Sequence, residues 1–308
     1  MWNLSIQQFR LSESFLAREA RPLDWVRFSF HFKGLVKEQV AETLAAYQNS
    51  DGGFGHALEP DLRTPESSAL ATANALKIFV ETGLTAENPV VLQTLWYLEK
   101  TFDRERLMWP IAPKGLKKYP HAPWWGGEDV VKDFGGCLVN PRAQILGALL
   151  SFQNAFDKTL LRSALESTVN HLGTLPDSME MHDLICYLYL IHSANLPGNL
   201  KEKMLPKLRR AVSAIVTREP EKWSGYSVKP LLLCHSPRAI TYPDLKEALE
   251  ANLDYEIQRQ ECDGSWTPNW SWEEFNPQAW PTAKRDWTGY LTIEALLTLK
   301  NFGRLEMQ

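Results

Sequence analysis

Cysteine is scarce in this 308-residue chain, and no two of its four cysteines are spaced as Cys-x-x-Cys. That excludes a zinc ribbon or redox dithiol, and so few thiols cannot staple a chain of this size; reduced cysteines in a cytoplasmic protein are expected. Positive charge is not in excess either. Thirty-three Lys and Arg against thirty-seven Asp and Glu give a net charge of -4, so nucleic acid is not an expected partner. The longest apolar stretch, Leu184 to Ile191, falls far short of the roughly 20 residues that a membrane span needs. No basic segment followed by an apolar run opens the chain, so a signal peptide is not expected. Alternating runs of Val, Ile, Thr and aromatics, the mark of strands, are missing too.

What is present is apolar content of 44% and an unusual twelve Trp. The first is enough to bury a sizeable core. Helical signals recur along the chain. Thr64-Pro65-Glu66 has the order of an N-cap, a first-turn proline and a first-turn acid, with Ala69, Ala73, Leu76 and Val80 on one apolar face behind it. Asn88-Pro89 opens a second helix over Val91, Leu95, Leu98 and Phe102, and Asn140-Pro141 a third over Ile145, Leu149 and Phe152. Further helical patterns lie near 34–48, 158–173, 179–193, 199–217, 242–260 and 286–300. The sequence predicts an all-α protein of stacked helical hairpins, one domain over residues 1–308. Two long irregular stretches, 103–139 and 261–285, are rich in Trp, Pro and Gly. Loops of that length tend to be functional when ordered, and these should fold back over the mouth of a cavity.

An internal repeat is legible. LAAYQNSDGGFG (44–55) and YEIQRQECDGSW (255–266) align Gln48 with Gln260, Asp51 with Asp263, Gly52 with Gly264 and Phe54 with Trp266. Each glycine permits left-handed backbone where a helix ends, and each Gln amide can satisfy loose backbone groups of a neighbouring helix.

Gln, a short spacer and Asp-Gly-x-aromatic at a helix end resembles the repeat of terpenoid cyclases and protein prenyltransferase β-subunits. The resemblance implies an α/α toroid, a closed ring of about six helical hairpins, acting on an apolar isoprenoid-like small molecule in its cavity. The family's known active-site strings are not here: there is no Asp-x-Asp-Asp, no Asp-Asp-x-x-Asp, and no cysteine preceded two positions earlier by Asp.

Three segments carry candidate chemistry. In GHALEPD (55–61), His56, Glu59 and Asp61 put three titratable groups beside a glycine-rich turn, a composition suited to proton transfer; Asp61 capping backbone or pairing with Arg63 is the simpler alternative. In MEMHDLICYLYLIH (179–192), Glu180, His182 and Asp183 precede an apolar helix, either as a polar cluster with His182 and Asp183 in catalysis or as an N-terminal turn that complements the helix dipole. In HAPWWGGED (121–129), Trp124 and Trp125 offer an aromatic wall, followed by Glu128, Asp129 and Asp133; Trp270 and Trp272 offer another, and either wall could equally plug the end of the ring. No His-x-x-x-His or similar spacing recommends a metal, and phosphate-loop, dinucleotide and nucleophile-elbow fingerprints are absent, so no cofactor is expected. A glycan-processing lyase or hydrolase on an α/α barrel, and a non-catalytic binding or scaffold protein, stand as alternatives to the isoprenoid enzyme.

Overall fold

A computed structural model describes residues 2–113, 115–126 and 139–306. Among these residues there are twelve α-helices, short 3-10 turns, isolated bridges and no strand. In chain order the helices are α1 (Ile6–Arg18), α2 (Pro22–Lys33), α3 (Lys37–Leu44), α4 (Ala69–Thr82), α5 (Pro89–Thr101), α6 (Val139–Leu149), α7 (Lys158–Leu172), α8 (Met181–His192), α9 (Gly198–Ile215), α10 (Pro230–Leu233), α11 (Tyr242–Gln258) and α12 (Trp280–Asn301). The chain divides into two compact units, Lys37–Ala211 and the combination of Met1–Val36 with Val212–Gln308.

Local chemistry sets the helix starts. Asn88 caps α5 and Asp157 caps α7 through their side chains, each ahead of residues whose apolar face is buried. α6 turns helical only after Asn140, whose φ and ψ are extended, as the following proline demands. Two starts differ from the sequence reading. α4 begins behind Ser68, not Thr64, because the segment before it is held extended: Ser68 N–H donates to Phe54 O at 2.9 Å, and Thr64 accepts from Glu66 N–H instead. Its expected core residue Val80 is 37% exposed. α12 begins at Trp280, six positions earlier than 286, which shortens the second irregular stretch. α1 and α2 were not anticipated, although Ser5 and Gln8 form a reciprocal capping box and Pro22 opens α2.

In the unit Lys37–Ala211, α4 packs on α6 and α6 on α8, while α3 and α5 pack against α4 and α7 against α6. Asn140 meets Cys186 near the start of α8, and Gly147 lies against Leu190 near its end, so α6 and α8 run parallel. The other unit has α1 on α2, both against α12, and α10 on α11. Arg27 of α2 binds Glu294 of α12 at 2.9 Å, and Gly289 of α12 admits Asp24 of α2, so these two also run in one direction. The first and last residues are laced together: Leu4 N–H donates to Arg304 O and Glu306 N–H to Leu4 O. Arg304, its side chain 4% exposed, pairs with Glu250 at 2.9 Å and with Asp254.

One device occurs once in each unit. Gln48 Nε2 donates to Gly52 O (3.0 Å), Val90 O (2.9 Å) and Thr94 Oγ1 (3.1 Å). Gln260 Nε2 donates to Gly264 O (3.1 Å), Gln8 O (3.1 Å) and Ser12 Oγ (2.9 Å). The glycines have φ 88 and 91, and the carboxylates of Asp51 and Asp263 accept the amide two residues on, at 2.9 and 3.0 Å. Phe54 N–H and Trp266 N–H each reach a threonine hydroxyl, Thr72 and Thr292, at 3.1 Å. The two segments aligned by sequence thus build the same corner, one against α5 and the other against α1. Nothing larger than glycine fits there, since a Cβ on Gly52 would lie 2.2 Å from Gln93 O and one on Gly264 2.3 Å from the Leu11 carbonyl carbon. Gly34, with φ 74, has open space around it. Gly52→Ala and Gly264→Ala should each cost about 3 kcal/mol or more, combining left-handed strain with overpacking, against about 1 kcal/mol for Gly34→Ala. Urea unfolding of the three variants checks this; equal losses would refute the close approach.

Candidate functional site

The corner at Gln48 launches a loop, residues 49–68, that carries the first candidate segment. Asn49 ties its two ends, donating to Pro65 O and Ser67 Oγ at 2.9 Å each. Asn49 Oδ1 also meets His56 Nε2 at 2.9 Å. His56 and Ala57 are consecutive non-glycine residues in left-handed backbone, φ 53 and 60, a conformation that costs about 1–2 kcal/mol per residue. This tight reversal turns the following residues inward. Leu58, Glu59, Asp61 and Leu62 are all buried. Strain of this kind clusters where a site must be held in shape.

Glu59 Oε2 accepts from Asn74 Nδ2 of α4 at 2.7 Å. Asp61 contributes its carbonyl to Ala122 N–H (2.8 Å), and Arg63 N–H donates to Pro120 O (3.0 Å), so the loop is paired with residues 119–122 of the first long irregular stretch. That pairing delivers a group the sequence reading did not single out, His121. Its ring is buried, Nδ1 lies 2.7 Å from Tyr119 O, and a Cβ on Gly126 would sit 2.5 Å from Nε2. With Nδ1 donating to that carbonyl, Nε2 is the basic nitrogen. Asn74 and Gln144 were missed as well; both are half-buried, and Gln144 Nε2 donates to Ala73 O at 3.1 Å, joining the starts of α4 and α6. Asn74 could have been found, since it is the polar residue interrupting the alanine-rich start of α4.

The second candidate segment divides by role. Glu180 is the N-cap of α8: its carboxylate accepts from His182 N–H (2.7 Å) and Asp183 N–H (3.1 Å). His182 is exposed and bonds Glu180 at 2.7 Å through Nδ1. Against partial desolvation, the His182 ring and the amides of His182 and Asp183 hold the Glu180 carboxyl below its ordinary range. Asp183 is half-buried, and its partial desolvation, reinforced by the Glu180 charge, raises its carboxyl to about 6, with the Asn140 backbone opposing. Burial and the same two carboxylates push the Cys186 thiol up, away from the thiolate form. The segments 56–61 and 180–183 therefore stand at the starts of α4 and α8, with α6 between them and Gln144 and Asn140 as the links.

The tryptophans are placed unequally. Trp124 is 42% exposed, Trp125 is buried, and Trp272 packs inside against Trp280 with ring centroids 5.4 Å apart. Trp270 is half-buried in a row of aromatic rings in the other unit. Glu128, Asp129, Asp133 and Cys137 lie outside the described residues. Among the described residues no three His, Cys, Asp or Glu side chains are grouped to hold a metal ion, and no helix is long and apolar enough to cross a membrane.

No family model matches this chain, no curated protein matches it, and no solved structure matches it.

The raised carboxyl of Asp183 gives a signed test. Its folded value lies above that of an unfolded aspartate, so the folded chain holds this proton more tightly and ionisation costs stability. That cost is absent below about pH 4 and complete above about pH 6. Asp183→Asn should be more stable than the wild type by about 1–2 kcal/mol at pH 8, with the advantage vanishing near pH 4. Thermal melts across that range measure it, and a pH-independent difference would contradict the burial of this charge.

Proposed function

We propose that the chain is an α/α toroid of about six helical hairpins and that the loop 55–61, with His121 and Asn74, forms the acid–base site of an enzyme acting on polar small molecules of the glycan type. Support for the ring is the pairing of helices along the chain, the succession α4, α6, α8 within one unit, and the corner of the last hairpin resting on α1, the first helix. In this reading the last repeat finds its next neighbour at the chain's own beginning, as a closed ring requires.

The observation that carries the enzymatic reading is the pair Glu59 and Asp61, both buried, one fixed by an amide donor, on a strained turn that capping alone does not require. Buried carboxylates are costly and are kept where they are paired or used. In this reading one of the two carboxyls donates a proton to a leaving oxygen and the other receives one from water or from the sugar, with His121 Nε2 as the adjoining base. Asn74 and Lys77 of α4 and Asn140 and Gln144 of α6 are half-buried. They supply both hydrogen-bond donors and acceptors, which suits a polyhydroxylated substrate better than the isoprenoid-like one that the repeat resemblance implies.

The test is a panel of oligosaccharides and prenyl diphosphates incubated with the protein, with products followed by mass spectrometry. Turnover of an oligosaccharide that falls by about 100-fold or more in both Glu59→Gln and Asp61→Asn, with unchanged melting temperature, is the expected result. Turnover of a prenyl diphosphate, or carbohydrate turnover indifferent to both substitutions, would overturn the assignment.

A further inference from the structure

The unit that combines Met1–Val36 with Val212–Gln308 holds a cationic cluster that the acid–base site does not use. Asn252 and Glu256 lie one turn apart on α11, so they share a face. The backbone leading into α10 runs along that face. Asn252 Oδ1 accepts from Leu231 N–H at 3.0 Å, and Glu256 Oε1 lies 3.7 Å from Lys229 Nζ. Lys229 is buried, its side chain 9% exposed, and its ammonium stands 5.3 Å from the centroid of the Tyr255 ring. A separation of 3.7 Å is too long for a hydrogen bond. The other carboxylate oxygen, Glu256 Oε2, accepts from Arg259 Nε. Two cations thus share one carboxylate. Two fully buried indoles back the cluster: Trp266 Nε1 donates to Glu256 O at 2.9 Å, and Trp223 meets Tyr255 edge to face.

The unmet needs of this cluster all have one sign. Among the described residues, Ser227 Oγ and Asn252 Nδ2 are buried atoms with no hydrogen-bond partner, and Asn252 is 0% exposed. Lys229 N–H donates to Ser227 O at 3.0 Å, and Asn252 holds Leu231 two residues further on, so both orphan groups flank the ammonium. An amide nitrogen and an ammonium are donors only, and a hydroxyl can be one. Burial pulls the Lys229 ammonium below its ordinary range against the Glu256 carboxylate, with the Arg259 charge adding to the pull. Buried donors without acceptors are costly, and so is a buried cation that must share its counter-charge. One kind of ligand relieves both. We propose that the seam between residues 227–231 and α11 binds a small oxyanion, the carboxylate or phosphate group of a small molecule, through Lys229, Ser227 and Asn252. A cationic ligand would be repelled by Lys229 and Arg259, and a neutral one would leave their excess charge uncompensated. Ser227 and Arg259 are half-buried and form the water-facing side, by which the anionic group enters. The inference is independent of the acid–base reading and shares no residue with it.

The test is titration of the full-length protein with sodium phosphate, sodium acetate and sodium chloride at constant ionic strength, read by calorimetry and by melting temperature. Saturable binding of phosphate or acetate is expected, and the tighter of the two identifies the class of group that the site takes. Lys229→Met, which removes the charge at similar size, should weaken it about tenfold or more. Asn252→Asp should do the same, since it keeps the acceptor for Leu231 N–H and puts a negative charge where the free donor was. Ser227→Ala, a smaller change that carries the test if either of those variants fails to fold, should weaken binding about threefold. Lys222→Met, at an exposed lysine of the same unit, should leave it unchanged. Binding of neither oxyanion, binding no tighter than that of chloride, or binding indifferent to Lys229, Asn252 and Ser227 would overturn the site.

Discussion

One side-chain amide, used twice, underlies the architecture. The Nε2 of Gln48, and again that of Gln260, is shared between the carbonyl of a left-handed glycine and two oxygens one turn apart on another helix. The hydroxyl on that helix donates its own proton elsewhere, Thr94 Oγ1 to Val90 O at 2.7 Å and Ser12 Oγ to Gly264 O at 2.6 Å, so it is free to accept from the amide. The corner thereby satisfies polar groups that would otherwise be buried at a cost of about 1–3 kcal/mol each. It also brings backbones so close that only glycine fits, which fixes the distance between one hairpin and the next helix.

The corner at Gln48 has a further consequence that its twin lacks. At Gln260 the chain pays out a Trp-rich stretch of irregular backbone before α12, with Trp266 and Trp272 packed inside. At Gln48 the neighbouring Asn49 draws Pro65, Ser67 and His56 together, and the short circuit forces His56 and Ala57 into left-handed backbone. Glu59 and Asp61 are carried inward by that reversal. The same scaffold element leads to an aromatic packing in one unit and to buried carboxylates in the other.

Legibility in the sequence followed the range of the interactions. Asn88-Pro89, Asn140-Pro141 and the Gln–Asp–Gly–aromatic strings act within a few residues, and each was readable. Thr64-Pro65-Glu66 has the right local grammar for a helix start, yet the pairing of Ser68 with Phe54, a tertiary contact, moved it to Ser68. Trp272 and Trp124 look alike in sequence, whereas one packs against Trp280 and the other faces water. His121 lies some sixty residues from Asp61 and reaches it through backbone pairing of irregular segments, a contact no periodicity announces. The segment with Glu180, His182 and Asp183 reads either as a polar cluster or as an N-terminal turn that complements the helix dipole, and Glu180 caps α8 through its side chain.

If the corner governs the loop, then loosening it must loosen the carboxylates. Amide hydrogen exchange in Gln48→Ala measures this directly. The account predicts faster exchange throughout the segment from Gly52 to Leu62, with the amides of Gly264 to Trp266 unchanged, because each corner is closed within its own unit. Undiminished protection from Gly52 to Leu62 in that variant would contradict it.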